Sequence, residues 1–282
     1  MARECRIIIS CGKRGVGKTV ETVRMIDEYV AGNAAKGIPP RKALIFDVND
    51  EFSDFWFFGA QRRIPAIAIK DILKFSVHPK VEVRRIRPFW DDGKKMTIND
   101  MSEVLGIILD NYRNGLLLVE DINKYLSDAM PSDLIGSLAT SRHIGLDIIS
   151  HFQNIGRAGN PKLLGNLNMI RLHKTNDTVE RHRNKFEEKS EILQIAEQIV
   201  THRYEEGDIR FFVYVDIDNM KIKGKFTKDE AEEAIHRYIT EQYKRIINPM
   251  LQLRDRKGAK IHNEETALAT ANQKLFKTYF SS

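Results

Sequence analysis

Apolar and polar positions alternate along the chain in blocks that predict a repeated strand–helix pattern. Short runs rich in β-branched residues predict buried strands, and longer amphipathic segments between them predict helices. The predicted strands are residues 5–11, 42–48, 81–86, 116–119, 146–150 and 169–173, and the clearest helices are residues 19–30 and 98–112. This alternation is typical of an α/β fold with a mainly parallel central sheet flanked by helices. We expect the strand at 116–119 to lie beside the strand at 5–11.

The pattern changes after Gly207. Residues 210–215 and 221–226 predict a C-terminal β-hairpin at the edge of the sheet. From Lys228 onward the chain is charged and helical in pattern, and Asn248-Pro249 predicts an interruption because the residue before a proline disfavours helical geometry. We therefore predict a core of residues 1–226 and a helical, partly basic C-terminal tail of residues 227–282.

A glycine-rich segment separates the first predicted strand from the first predicted helix. It fits the pattern G-x-x-x-x-G-K-[ST], in which backbone N–H groups and a helix N-terminus surround phosphates. We expect Lys18 to reach the β- and γ-phosphates of ATP and the Thr19 hydroxyl to bind Mg²⁺. A glycine-rich turn that binds nothing is the alternative. The predicted phosphate-binding loop is Gly12, Lys13, Arg14, Gly15, Val16, Gly17, Lys18 and Thr19.

Two carboxylates, Glu120 and Asp121, directly follow the apolar strand at 116–119. An apolar strand that ends in acids is the form of a Walker B motif, whose carboxylates face the magnesium ion and the attacking water. We expect Glu120 to bind Mg²⁺ and Asp121 to polarise the water. The order of the two acids is the reverse of the usual one, so the division of roles stays open. The alternative is a pair of carboxylates that are merely solvated at a strand end.

Composition sets the class of the protein. Hydrophobic residues make up 42% and charged residues 30% of the 282 residues, which is ordinary for a folded globular protein. Cys5 and Cys11 lie too far apart along one extended strand to form a disulfide. Sparse cysteine and the lack of a long apolar run lead us to expect a cytoplasmic protein without membrane insertion. The net charge of +6 favours a polyanionic partner without establishing one.

The segment after the acidic strand resembles a known family. Arg142, Gly145, the strand at 146–150 and Gln153 at its end resemble the segment that follows Walker B in the HerA/FtsK superfamily of ring ATPases. Residues 45–52 are similar to the D-x-x-x-E-[FY] segment of the HerA-type members. The resemblance covers the chain from Cys5 to about Thr175 and implies a RecA-like (ASCE) P-loop core.

The resemblance also implies roles and partners. Arg142 would be an arginine finger that completes the ATP site of a neighbouring subunit, Gln153 would be the sensor at the strand end, and Arg171 is the rival finger. A pentameric or hexameric ring would translocate double-stranded DNA, most like the viral ATPases that package genomes. A portal or capsid protein would then be a further partner, and the host cytoplasm the location. Arg142 as a helix-capping surface residue and Gln153 as an ordinary polar residue are the alternatives.

Other interpretations stay open. A morphogenesis or secretion ATPase similar to the zonula-occludens-toxin group of filamentous phages would use the same core. The reversed acidic pair is also consistent with a switch that binds ATP and turns it over slowly. Arg84, Arg85 and Arg87, together with the basic run at 181–185, are candidates for contact with a phosphate backbone. The aromatic residues within 52–58 predict either a subunit contact or a local core.

Overall fold

The structure is a computed structural model that describes residues 5–52, 54–57, 60–122, 144–159 and 161–280. Its strands are β1 (Ile7–Cys11), β2 (Lys42–Phe46), β3 (Asp54–Phe57), β4 (Ala60–Arg63), β5 (Val83–Ile86), β6 (Gly115–Val119), β7 (Asp147–Phe152), β8 (Met169–His173), β9 (Phe212–Asp216) and β10 (Lys221–Gly224). Within the described residues, β3 and β4 form an antiparallel pair and the other eight strands form one sheet.

The helices lie mainly between the strands and after the last one. They are α1 (Lys18–Ala31), α2 (Ile72–Val77), α3 (Ile98–Asn111), α4 (Ile155–Ala158), α5 (Pro161–Leu164), α6 (Arg183–Phe186), α7 (Ser190–Glu205), α8 (Lys228–Glu241), α9 (Tyr243–Gln252) and α10 (Glu264–Tyr279). Short 3-10 turns are found at Ala34–Lys36, Ile69–Asp71, Glu180–His182 and Glu187–Lys189.

The eight-stranded sheet has the order β10-β9-β8-β1-β7-β6-β2-β5. The six strands from β8 to β5 are parallel, and the hairpin of β9 and β10 joins them antiparallel at one edge. The predicted α/β fold, with its mainly parallel sheet and its C-terminal β-hairpin, is confirmed. The expectation that β6 lies beside β1 is wrong, because β7 lies between them and pairs with both. Each of these strands is buried throughout, so the apolar pattern fits any interior position and cannot determine strand order.

Alternate residues of the strands face two separate layers of the core. In β2, Ala43 and Ile45 face the layer that contains Val23 and Ile26 of α1. Their neighbours Leu44 and Phe46 face the larger layer on the other side, which contains α3 and α7. Both faces of the sheet are therefore covered by helices, as a parallel sheet requires. The same burial leaves the ends of the strands as the place where polar groups can collect.

The tail helices pack against the rest of the chain. Ile235 and Tyr238 of α8 and Leu275 of α10 belong to the larger core layer. The Tyr279 hydroxyl donates to Glu191 at 2.5 Å, and the Lys221 ammonium donates to the Thr278 carbonyl at 2.9 Å. The tail thus shares the core of the sheet, and the division at residue 226 stays a prediction.

Pro249 does not interrupt the tail as predicted. It lies inside α9, and the break between α8 and α9 falls at Gln242 instead. Pro249 is in the last turn of α9, where its missing N–H removes a single helical hydrogen bond, while Ile247 anchors the helix in the core. Over the ranges that the structure covers, none of the helices combines the length and the apolar character needed to cross a membrane.

Candidate active site at the carboxyl edge of the sheet

The carboxyl ends of the parallel strands meet at one edge of the sheet and surround a cavity of about 630 Å³. The loop after β1, the turn after β2, and the ends of β6 and β7 all contribute to it. Its lining consists of Arg14, Gly15, Gly17, Lys18, Thr19, Val20, Asn49, Glu51, Glu120, Asp121, His151, Gln153 and Arg210. The predicted phosphate loop and the predicted acidic pair therefore lie in the same cavity.

The loop between β1 and α1 depends on two glycines. Gly17, the N-cap of α1, has a φ of 86°, which side chains other than glycine rarely adopt. A Cβ on Gly12 would lie 2.7 Å from the Cβ of His173, so the backbone passes closer to β8 than any side chain would allow. These two positions set the path of the loop around the start of α1.

Lys18 lies across this loop. Its ammonium donates to the carbonyls of Gly12 at 2.5 Å and Lys13 at 2.9 Å, and burial lowers its pKa. A cation that lies at the N-terminus of a helix and donates to backbone carbonyls can exchange these acceptors for the oxygens of a phosphate.

The other predicted loop residues divide into two groups. Arg14, Gly15 and Thr19 line the cavity together with Gly17 and Lys18. Gly12, Lys13 and Val16 do not line it and instead hold the loop in place. Val16 is buried, and the ammonium of Lys13 lies 4.1 Å from the centre of the Tyr204 ring.

Glu120 and Asp121 both lie in the cavity, but their environments differ. Glu120 is only 3% exposed, and burial, followed by the charges of Glu51, Asp47 and Asp121, raises its pKa to about 8. Asp121 has a φ of 41° and directs its carboxylate towards Gln153, whose amide donates to it at 3.3 Å. The structure therefore brings Gln153 to the acidic pair, and its role as a sensor stays a prediction.

The side-chain amide of Asn49 joins the two acids. It donates to Asp121 at 3.1 Å and lies 3.4 Å from the nearer oxygen of Glu120. The hydroxyl of Thr19 and the carboxylates of Glu120 and Asp121 are the hard oxygen ligands that Mg²⁺ prefers. Burial first and the nearby carboxylates second raise the pKa of Glu120, and a divalent cation bound there would offset both, so the residues fit a magnesium ion.

A buried ion-pair network shapes the turn after β2. Asp47 accepts the backbone N–H groups of Glu51 at 2.9 Å and Phe52 at 3.0 Å. Arg85 bonds Asp47 at 2.7 Å and Asp50 at 2.5 Å. Asp50 takes a left-handed conformation, with a φ of 56°, so this network fixes a strained turn that presents Glu51 to the cavity.

The same network corrects the interpretation of the arginines of β5 as contacts for a phosphate backbone. Arg85 is buried against Asp47, Arg87 pairs with Asp50 at 2.8 Å, and Arg84 pairs with Glu82 at 2.9 Å. These guanidinium groups neutralise carboxylates of the chain itself. Sequence reasoning missed the contacts of Arg85 and Arg87 because Asp47 and Asp50 lie in the turn after β2, far from these arginines in sequence.

His151 is a site residue that the sequence analysis did not identify. Its Nε2 lies 2.8 Å from the hydroxyl of Thr22, and its Nδ1 lies 4.0 Å from Glu120. Burial lowers its pKa well below the usual range, so the ring is neutral at physiological pH. The available signal was a histidine near the carboxyl end of a predicted parallel strand.

Arg210 is a second residue that was missed. Because β9 runs antiparallel to β8, the loop before β9 lies at the carboxyl edge, beside the phosphate loop. The stem of Arg210 lies against Gly17, and a Cβ on Gly17 would be 3.4 Å from its Cγ. In the part of the chain that the structure describes, no carboxylate pairs with it. The sequence predicted position 210 as the start of a strand, and no local pattern connects it to a loop about 190 residues earlier.

Arg171 is not an arginine finger. It is 0% exposed and lies beneath the start of α1, where it donates to the hydroxyl of Ser10 at 2.9 Å and the carbonyl of Lys18 at 3.0 Å. It also bonds the hydroxyl of Thr22. A fully buried side chain cannot reach the nucleotide of another subunit, so this interpretation is wrong. Arg142, the other candidate, lies outside the described residues.

No protein-family model and no curated protein sequence matches the chain. Among solved structures, it is similar to the genome-packaging NTPase B204 of Sulfolobus turreted icosahedral virus 2 in complex with AMPPCP. The identity is 15%, the TM-score is 0.49, and the match covers 78% of this chain and 96% of that one. For the DNA-packaging ATPase B204 of Sulfolobus turreted icosahedral virus, the identity is 14% and the TM-score is 0.49, and the match covers 77% of this chain and 95% of that one. For the N-terminal domain of zonular occludens toxin from Neisseria meningitidis, the identity is 17% and the TM-score is 0.33, and the match covers 62% of this chain and 79% of that one. Values of this size carry no activity from one protein to another, so the function is argued from the residues of the site.

Proposed function

We propose that this chain is a P-loop ATPase that translocates double-stranded DNA as a homo-oligomeric ring, in the manner of a viral genome-packaging motor. One observation carries the ATPase assignment. The glycine loop with Lys18 and Thr19 and the strand end with Glu120 and Asp121 line a single cavity. This is the arrangement that phosphoryl transfer from a nucleotide requires.

The loop binds the phosphates. Lys18 would leave the carbonyls of Gly12 and Lys13 and donate to the β- and γ-phosphates, while the N-terminus of α1 adds its partial positive charge. Gly15 and Gly17 leave the backbone open towards the cavity. The low exposure of Lys18 strengthens its attraction to a phosphate, because little water screens the charge.

The carboxylates prepare the hydrolytic step. Thr19 and Glu120 would hold Mg²⁺, which when bound offsets the negative charge of the phosphates. Asp121, kept in place by Asn49 and Gln153, would orient and polarise the attacking water. His151 stays neutral and fixes the end of β7 through Thr22.

Two arginines complete the proposed site. Arg210 would contact the nucleotide from the same chain, since it lies on Gly17 at the wall of the cavity. Arg142 would act in trans as the arginine finger of the neighbouring subunit, which is the role that the family resemblance implies. The ring, the DNA partner and a portal or capsid partner rest on that resemblance, with the net charge of +6 in support of a polyanion.

The proposal is tested by ATP hydrolysis measured with and without linear double-stranded DNA. We expect turnover that DNA stimulates several-fold, and none from Lys18→Ala. DNA-independent turnover would favour a secretion ATPase, and negligible turnover with intact ATP binding would favour a switch; either result contradicts the motor. Mass photometry with ATP and DNA should show a ring, and a species that stays monomeric would contradict a site shared between subunits.

Mixing two inactive variants tests the trans finger. Lys18→Ala removes phosphate binding in its own subunit, whereas Arg142→Ala leaves ATP bound but removes the finger from the next site. In a mixed ring, an Arg142→Ala subunit still binds ATP through its own Lys18. When its neighbour is a Lys18→Ala subunit, that neighbour supplies an intact Arg142, so partial activity should return. Equal hydrolysis by Arg142→Ala and the unmodified protein would exclude the finger role.

A further inference from the structure

The connection between α9 and α10, residues 253–262, forms a short exposed hairpin, which we call the basic hairpin. The N–H of Asp255 donates to the carbonyl of Ala259 at 2.9 Å, and the N–H of Ile261 donates to the carbonyl of Leu253 at 3.2 Å. Gly258, with a φ of 83°, supplies the left-handed residue that the turn needs. The backbone of this segment is therefore held by hydrogen bonds, which fix the positions of its side chains relative to one another.

Four cations occupy this hairpin. Residues 252–261 are all exposed, and the cations among them are Arg254, Arg256, Lys257 and Lys260. The carboxylate of Asp255 accepts the backbone N–H groups of Lys257 at 2.8 Å and Ala259 at 2.9 Å, and these hydrogen bonds stabilise the turn. Across the residues that the structure describes, none of the four cations forms an ion pair. The hairpin thus presents a concentrated positive charge to the solvent.

Two of the cations lie directly opposite each other. Arg254 and Lys260 form an antiparallel bridge, and the hydrogen bonds on either side of it show that they are a non-hydrogen-bonded pair. Side chains approach most closely in such pairs, and like charges in that position destabilise a hairpin. An anionic ligand that lies between or above them converts this repulsion into attraction.

We propose that the basic hairpin binds the phosphate backbone of double-stranded DNA. This inference rests on the proposed function for the choice of partner, and it identifies the contacting surface. A duplex carries closely spaced phosphates, so adjacent cations can each neutralise one of them and release its counterions. The flexible stems of arginine and lysine let each head group follow a phosphate, whatever the base sequence.

The basic hairpin is separate from the candidate active site. No residue of the hairpin lines the cavity at the carboxyl edge. Removal of the hairpin charges should therefore leave DNA-independent ATP hydrolysis unchanged.

The test is a variant in which the four hairpin cations become glutamine, compared with a control that loses four other exposed cations. The control changes Lys36, Lys94, Lys95 and Arg113 to glutamine, which gives the same net charge. Binding of a fluorescent duplex of about 30 base pairs is measured by anisotropy over a range of salt concentrations. The hairpin variant should bind at least about tenfold more weakly, and the slope of log K against log salt should become shallower by about 2 to 4. The control variant should keep the DNA affinity and the salt slope of the unmodified protein.

The outcomes separate this inference from the proposed function. If the unmodified protein binds the duplex and both variants weaken equally, the hairpin is not the contact and the motor proposal stands. The same holds if the hairpin variant keeps its DNA affinity but no longer assembles by mass photometry, because the hairpin would then contact protein. If the unmodified protein hydrolyses ATP but binds no duplex, the DNA part of the proposed function fails, and this inference fails with it. Unchanged DNA-independent hydrolysis by the hairpin variant shows that its fold is intact.

Discussion

The cavity at the carboxyl edge and the basic hairpin both concentrate charge, but in opposite ways. In the cavity, Lys18 and Glu120 are buried, and burial lowers the pKa of Lys18 and raises the pKa of Glu120. In the hairpin, Arg254 and Lys260 are exposed and face each other across the turn. Water screens exposed charges and leaves buried ones strong. The cavity is therefore suited to act on one small anion, and the hairpin to bind a long one through many weak contacts.

The difference also concerns how each region is built. The cavity collects residues from the loop after β1, the turn after β2, and the ends of β6 and β7, which are far apart in sequence. The hairpin is a continuous segment of ten residues. Substitutions in the cavity should therefore have large and specific effects, whereas single substitutions in the hairpin should have small effects that add together.

The largest effect is expected at the acidic pair. Asp121→Asn should lower the rate of ATP hydrolysis about a hundredfold or more, because the group proposed to polarise the water loses its charge. ATP binding should persist, since Lys18 and the loop are untouched. Single-turnover phosphate release and binding of a fluorescent ATP analogue measure the two steps, with Asp110→Asn on the exposed face of α3 as the control. Full-rate hydrolysis by Asp121→Asn would remove this residue from the mechanism.

The buried arginine should control stability. Arg171→Ala should lower the free energy of unfolding by about 2 to 4 kcal/mol, since it empties a filled site and leaves Ser10 without its buried donor. Urea unfolding measures the change. Arg113→Ala, at an exposed position, should unfold like the unmodified protein. If Arg171→Ala has the same stability as that control, the arginine does not support α1.

The exposed arginine of the cavity should control nucleotide affinity instead. Arg210→Ala should weaken ATP binding about tenfold, equivalent to about 1.4 kcal/mol, with little change in unfolding. Isothermal titration calorimetry of ATP against each variant measures the effect, and Arg210→Lys should recover part of the affinity. The assignment fails if Arg210→Ala binds ATP as tightly as the unmodified protein.

The smallest effect is expected from a partly buried acid outside both regions. Burial raises the pKa of Glu197 to about 7, while its carboxylate accepts the N–H of Val179. Because the folded protein favours the protonated form, Glu197 contributes stability that is complete below its ordinary pKa and is lost as the pH rises through 7. Glu197→Gln should therefore show a flatter loss of thermal stability between pH 5 and pH 8. Parallel pH profiles for the two proteins would mean that Glu197 does not titrate in this range.

The sequence predicted the α/β class and the phosphate loop because both depend on local patterns. Alternating strands and helices indicate the class, and a glycine loop between a strand and a helix indicates the phosphate site. Neither His151 nor Arg210 belongs to such a pattern, and each enters the cavity only through strand pairing. The wrong neighbour for β6 has the same origin, since sheet order is not encoded in the apolar character of a single strand.

The sequence by itself therefore determined the six parallel strands, the C-terminal hairpin, the loop of residues 12–19, the acids at the end of β6, and the charge of the tail. Only the tertiary structure decided that Arg171 lies buried under α1, that Arg85 and Arg87 neutralise the turn after β2, and that Arg210 reaches Gly17. The physical reason is that the residues next to an arginine in the sequence do not show whether its side chain will be buried, paired or exposed. Its role depends on which carboxylate, carbonyl or cavity the folded chain places within reach of its guanidinium group.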